Sequence, residues 1–135
     1  LLFYNPASGM WQEAFNDGVG RFAIRTGAWA PGLEVHPTDL DGDGRDDIFA
    51  YNPTDGYWMT ALNLSAGRFA STSGSWTLGW TVATGDLSGD GRGDVVLYDP
   101  VTGIWFQCVT VGPGGVFAYA SGSWLPGASF IGRPR

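Results

Sequence analysis

Lysine is absent from this chain of 135 residues, and its seven basic side chains are all arginines, scattered along the sequence. No basic patch therefore exists to follow a phosphate backbone, which argues against a nucleic-acid partner. A single cysteine, Cys108, excludes an internal disulfide framework. A single histidine, His36, has no second His or Cys nearby, so neither a zinc site nor a Ser-His-Asp arrangement finds its other members. No apolar run approaches the length of a bilayer span; 48–51 and 95–98 are only strand-sized, and no membrane insertion is expected. The stretch opening at Leu1 does not read as a secretory leader; the expectation is that a leader was removed or lies outside the given sequence. Helical periodicity is missing too. In its place stand 22 glycines, eight prolines and frequent Asn and Asp, a punctuation that reads as short strands joined by tight turns.

What is present is a threefold repeat. Trp11, Trp58 and Trp105 lie 47 residues apart, as do Tyr4, Tyr51 and Tyr98, each opening a Tyr-Asn-Pro or Tyr-Asp-Pro turn. Trp29 and Trp76 keep the step; Trp124 falls one residue late because the third unit carries an extra glycine near Gly114 and Gly115. Such a period marks a unit that cannot bury its own apolar faces and must stack on its neighbours. Hydrophobic residues at 44% and aromatics at 15% suffice for a continuous core. Cys108 occupies the place of Ala14 and Ala61, which marks it as a small buried strand residue.

The middle unit lays out four strands. A short segment over 34–40 leads into an Asp/Gly loop, a strongly apolar strand covers 47–52, a Pro53-Thr54-Asp55-Gly56 turn follows, and further strands cover 57–63 and 68–73. Four antiparallel strands in 47 residues make one propeller blade, so the fold class is all-β, with three blades. The first unit lacks its opening strand, and an extra one is expected over residues 128–133. The units are residues 1–32, 33–79 and 80–127, with a closing strand in 128–135. Three blades are too few for a ring, which needs about four. The ring is expected to be completed by missing sequence or by a homo-oligomer of two chains, six blades in all.

The chemistry lies in the loops. Eight of the 13 acidic residues fall in two of them, and the net charge of −6 is local in origin. Asp39-Leu40-Asp41-Gly42-Asp43-Gly44-Arg45-Asp46-Asp47 sets carboxylates at positions 1, 3, 5 and 9, with glycines that let the backbone coil around a point. Hard oxygens at alternate positions suit Ca²⁺, which takes about six to eight of them. Asp39, Asp41, Asp43 and Asp47 would give side-chain oxygens and Arg45 its carbonyl. An EF-hand starts alike but needs Glu at position 12, where Ala50 stands here. The second loop offers Asp86, Ser88, Asp90, the Arg92 carbonyl and Asp94. Two bound divalent ions would reduce the charge from −6 to about −2.

The Asp-x-Asp-Gly-Asp-Gly-x-x-Asp loop, followed by an apolar strand and a proline turn, resembles the FG-GAP/VCBS repeats, which build calcium-binding β-propellers in integrin α chains and secreted bacterial proteins. The resemblance covers all three units and departs at Gly132-Arg133-Pro134-Arg135, where a loop would stand. It implies a secreted or extracellular, non-enzymatic, Ca²⁺-stabilised module that binds a glycan or a cell-surface ligand. Alternatives are a structural subunit of an extracellular assembly and an accessory domain of a polysaccharide-active enzyme. The fold alone does not name the ligand.

The tryptophans serve either packing or ligand stacking. Trp11, Trp58 and Trp105 read as packing between blades, whereas Trp29, Trp76 and Trp124 are equally suited to either use. Trp80 has no counterpart, since Leu33 and Ala128 hold its position, and is the best single candidate for a ligand contact. Glu13 and Glu34 are unique to their units; a carboxylate pair for glycoside hydrolysis is conceivable, but nothing in the sequence brings them together.

Overall fold

The computed structural model describes residues 1–65, 67–114 and 116–130. Among these there is no helix; eleven strands form three antiparallel sheets. The first sheet holds β1 (Leu2–Tyr4), β2 (Met10–Asn16) and β3 (Phe22–Ala28). The second holds β4 (Glu34–Thr38), β5 (Asp47–Tyr51), β6 (Tyr57–Asn63) and β7 (Phe69–Ser75). The third holds β8 (Thr81–Gly85), β9 (Asp94–Tyr98), β10 (Ile104–Val111) and β11 (Val116–Ser123). Each sheet is an up-and-down meander in chain order, the arrangement of a propeller blade. Among the described residues β1 is paired on one side only, and no pairing joins the first sheet to the third. Of the closing strand expected over 128–133, residues 128–130 run without strand structure and 131–133 lie outside the described residues.

Stacking explains the composition of the central strands. All five residues of β5 and all five of β9 are buried, so beyond the opening Asp47 and Asp94 both read as apolar runs instead of alternating ones. Ile48 and Ala50 face the first sheet, in a core with Leu33, Met59, Ala61, Leu2, Tyr4 and Phe69. Phe49 and Tyr51, on the opposite face of the same strand, pack with Val95, Leu97, Cys108 and Phe117 of the third sheet. Burial pushes the Cys108 thiol up to about 12, with Asp94 adding to it, so the sulfur is a packing atom.

The repeated residues have specific packing duties. The hairpin turn after β5 is held by Asn52, whose Oδ1 accepts the Thr54 N–H at 2.9 Å, and Asn5 and Asp99 accept from Ala7 and Val101 in the same way. Gly56 closes that turn at φ +79°, where a Cβ would also collide with the Trp76 carbonyl. Tyr4, Tyr51 and Tyr98 donate their hydroxyls to Ala30, Thr77 and Leu125 carbonyls, fixing the crossing to the next sheet. Trp11, Trp58 and Trp105 each pair across the hairpin with a glycine, Gly27, Gly74 and Gly122. The indole lies over the bare glycine backbone and shields it. Each also contacts the tryptophan ending the sheet, Trp58 with Trp76 at 5.1 Å and 27° between planes. The extra glycine of the third unit is absorbed by the last hairpin, whose two strands are eight residues long against seven in the other units.

A Cβ at Gly74 would fall 2.6 Å from Trp58 Cζ2. Gly74→Ala should therefore lower stability by about 1–3 kcal/mol through overpacking. Chemical denaturation checks this, and adding Trp58→Phe should recover part of the loss. An additive double variant would show that the indole is not the obstacle.

Candidate calcium loops and an aromatic slot

Both Asp loops fold into the same hydrogen-bonded coil before any ion is considered. Gly42 and Gly44 adopt φ of +80° and +87°, and Gly89 and Gly91 +78° and +85°. This left-handed backbone turns successive N–H groups inward. Asp39 Oδ1 accepts from Gly42 (2.8 Å) and Asp43 (3.1 Å), and its Oδ2 from Gly44 (2.8 Å). Asp86 repeats this with Gly89, Asp90 and Gly91. Carboxylate oxygens of Asp39, Asp41 and Asp43 lie within 4.8 Å of one another. Arg45 closes over this group, with Nε 2.9 Å from Asp43 Oδ2. Its guanidinium and backbone N–H hold the Asp43 carboxyl below the usual carboxylate range. Arg92 contacts Asp90 in the corresponding way, and its backbone N–H is the main cause lowering that carboxyl.

Asp47, the fourth carboxylate of the expected set, is turned to the backbone. Its Oδ2 accepts from Leu40 (2.8 Å) and Asp41 (3.3 Å), and its Oδ1 from Asn63 (2.7 Å). It is buried, and desolvation raises its pKa against the pull of the Asn63 and Leu40 N–H groups. Asp94 likewise accepts the backbone N–H groups of Leu87, Ser88 and Thr110, and gains the Thr110 hydroxyl at 3.3 Å. These two residues thus lock each loop to the second and third strands of its sheet. The oxygens of Asp39, Asp41 and Asp43 are hard and anionic, and they converge; that donor set fits Ca²⁺. Sequence reasoning missed a contact between the loops: the Gly93 N–H donates to the Asp39 carbonyl at 2.5 Å. A side chain at Gly93 would strike Thr38, which is why Gly stands where the first loop has Asp46. The only signal was that substitution itself.

The expected aromatic residues separate. Trp76 and Trp80 meet in one slot of about 300 Å³ between the second and third sheets, with Thr77, Leu97, Phe106 and Tyr119. Trp80 stands edge-on to Phe106 at 5.5 Å and donates its Nε1–H to Thr77 Oγ1 at 3.2 Å. Tyr119 stands edge-on to Trp76 at 6.5 Å. Trp29 packs instead with Trp11 and Phe69 at the first junction, and Trp124 stacks on Trp105. Tyr119 and Phe106 were not singled out from the sequence; both stand at positions that hold non-aromatic residues in the other units, Ile24 and Ser71 for one, Gln12 and Met59 for the other. Glu13 lies on β2 and Glu34 on β4, where Glu34 Oε2 is 3.9 Å from His36 Nε2. Burial holds His36 below its usual pKa, with Glu34 opposing.

Residues 39–97 match the family model described as the FG-GAP-like repeat, a stretch running from the first Asp loop through the second to β9. No curated protein matches the chain at a significant level.

Asp47 and Asp41 should respond oppositely to substitution. In EDTA, Asp47→Ala strands three backbone N–H groups and should cost about 3 kcal/mol, while Asp41→Ala should change little. Thermal melts of both variants with and without Ca²⁺ check this: Asp41→Ala should lose most of any Ca²⁺-induced shift from its loop.

Proposed function

We propose that this chain, which carries FG-GAP-type repeats in propeller-like blades, is a non-enzymatic, Ca²⁺-stabilised binding module of the cell exterior whose ligand is a glycan. The aromatic slot of Trp76, Trp80, Phe106 and Tyr119 carries the reading. Sugar rings present flat C–H faces that pack on aromatic rings, while their hydroxyls need polar partners at the rim. The slot offers four aromatic rings and the Thr77 hydroxyl in one concavity. Its indole N–H is already bonded to Thr77, so Trp80 is held in place before a ligand arrives.

The Asp loops support the scaffold. Asp39, Asp41 and Asp43 would hold one ion, with the Arg45 carbonyl and Asp47 completing the set; Asp86, Ser88, Asp90, the Arg92 carbonyl and Asp94 would hold a second. Bound Ca²⁺ supplies positive charge to carboxylates that Arg45 and Arg92 only partly neutralise. Leu40, within the first loop, is fully buried, and Asp47 ties its N–H and that of Asn63 together, so tightening the loop bears on the second sheet. Among the described residues no helix is long and apolar enough to cross a membrane.

For a site with a dissociation constant of about 0.1 mM, in the range of extracellular modules, about 1 mM Ca²⁺ should stabilise the fold by roughly 1.4 kcal/mol. A melting temperature indifferent to EDTA would sink the metal reading. A glycan array probed in Ca²⁺ should show binding that Trp80→Ala abolishes while its melting curve stays close to the parent's. No binding to any glycan would remove the ligand reading and leave a structural subunit of an extracellular assembly as the function; hydrolysis of a bound polysaccharide would overturn the non-enzymatic assignment.

A further inference from the structure

The aromatic slot has a size and an electrostatic character as well as a set of rings. At about 300 Å³ it stands at the small end of ligand sites, which run from about 300 to 1,000 Å³, so it holds one sugar ring and not a run of them. Its lining is Trp76, Thr77, Trp80, Leu97, Phe106 and Tyr119, none of which carries charge at neutral pH. Burial raises the Tyr119 phenol above its ordinary value, with the Trp76 side chain opposing, so that hydroxyl keeps its proton.

The charges that reach the slot are negative. Tyr51 donates its hydroxyl to the carbonyl of Thr77, one of the lining residues, at 3.1 Å. Desolvation raises the Tyr51 phenol, the Trp80 backbone opposes the rise, and the carboxylates of Glu34 and Asp55 add to it. His36, 3.9 Å from Glu34, does not offset that carboxylate at neutral pH, because burial keeps the imidazole below its ordinary pKa. Arg21, Arg45 and Arg92 pair with Asp17, Asp43 and Asp90, and among the described residues no arginine lines the slot.

The segment bearing Thr77 and Trp80 also keeps a donor that its counterparts use internally. In the first and third units the crossing glycine is tied to the proline turn, Gly32 N–H to the Pro6 carbonyl at 2.7 Å and Gly127 N–H to the Pro100 carbonyl at 2.6 Å. Gly79 holds that place in the second unit, after Leu78 where the other crossings have Pro31 and Pro126. Gly79 is exposed, and its N–H has no such acceptor among the described residues. Thr77 Oγ1 accepts from Trp80 Nε1 at 3.2 Å, which leaves its own O–H to donate.

We infer that the slot takes a single pyranose unit without charged substituents and selects against the matching acidic sugar. The inference rests on the reading of the slot as a glycan site and narrows it. A carboxylate, sulfate or phosphate on the ring enters an aromatic site with no cation to pair it and with Glu34 and Asp55 bearing on its edge, and a charge taken from water without a partner is costly. A neutral ring gives up only hydrogen bonds to water, and the Thr77 and Tyr119 hydroxyls and the Gly79 N–H are there to replace some of them. Its C–H face packs on the indoles as before.

Matched methyl glycosides test this: glucose against glucuronic acid, galactose against galacturonic acid, and mannose against mannuronic acid. Each is titrated into the full chain in about 1 mM Ca²⁺ and followed by tryptophan fluorescence and calorimetry. In the pair that binds, the neutral member should bind at least about tenfold more tightly at low salt. Added salt should narrow the gap, and so should Glu34→Gln, while Trp80→Ala should abolish binding of both members. A uronide that binds as tightly as its neutral partner overturns the inference and leaves the glycan reading standing. So does an array on which acidic glycans outrank neutral ones, or a neutral sugar whose binding survives Trp80→Ala. No response from any pair, together with no binding to any arrayed glycan, overturns the glycan reading and this inference with it.

Discussion

A four-stranded sheet of strands five to eight residues long has too little area to bury a core against one neighbour. Its middle strand must be covered on both faces, and this requirement governs the rest of the molecule. It makes β5 and β9 apolar runs beyond their opening aspartates. It places a glycine opposite Trp11, Trp58 and Trp105, so that the indole lies against the sheet and the next sheet can approach. It also makes the phenylalanine of each following sheet the element that seals a junction. Stability in such an array is a property of junctions as much as of units. The first sheet shows the converse: β1 is three residues long and none of them is buried.

Much of this was legible in the sequence, because the repeat overlays three solutions to the same packing problem. β6 occupies the residues expected of it, and β7 extends two residues further, to Ser75, because the Trp58–Gly74 pair keeps the ladder going. β4 ends at Thr38, two residues short of expectation, because Asp39 already turns its carboxylate to the loop N–H groups. Less legible was the division of labour among the carboxylates. Asp39, Asp41 and Asp43 converge, whereas Asp47 also ties the loop backbone at Leu40 and Asp41 to Asn63 at the end of β6. Spacing alone does not show that a carboxylate also anchors the loop, because that use and metal ligation both need an oxygen pointing inward. The tryptophans were ambiguous for a similar reason. Which of them meet depends on how adjacent sheets are offset, and that is set by residues far apart in sequence, such as Phe117 against Trp58 and Trp76.

The loops are shaped by their own hydrogen bonds. Asp39 and Asp86 each gather three N–H groups, and Asp47 and Asp94 tie the far end of each loop to the sheet. An ion entering such a loop meets donors already close to one another, so less ordering entropy is lost on binding. What the loop lacks is charge balance. Arg45 and Arg92 each sit on one carboxylate from the outside and leave the remaining acids facing one another. The interaction of Gly93 with the Asp39 carbonyl joins the two loops.

Repetition fixes the scaffold, and departures from it are where a specific function can enter. The position held by Leu33, Trp80 and Ala128 lies in each case just after the crossing tied down by a repeated tyrosine. Leu33 is 5% exposed and fills the core of the first junction. Trp80 is too large to follow it inward. Its indole is propped outward on Phe106 and pinned by Thr77, and the space this leaves becomes the aromatic slot. Tyr119 adds a further wall where the second unit has only Ser71. One slot therefore arises in three nearly equal units, from substitutions that the rest of the repeat does not require. Leu33 and Trp80 thus show how a single substitution at a repeated position exchanges a filled core for an aromatic concavity that the shared packing does not require.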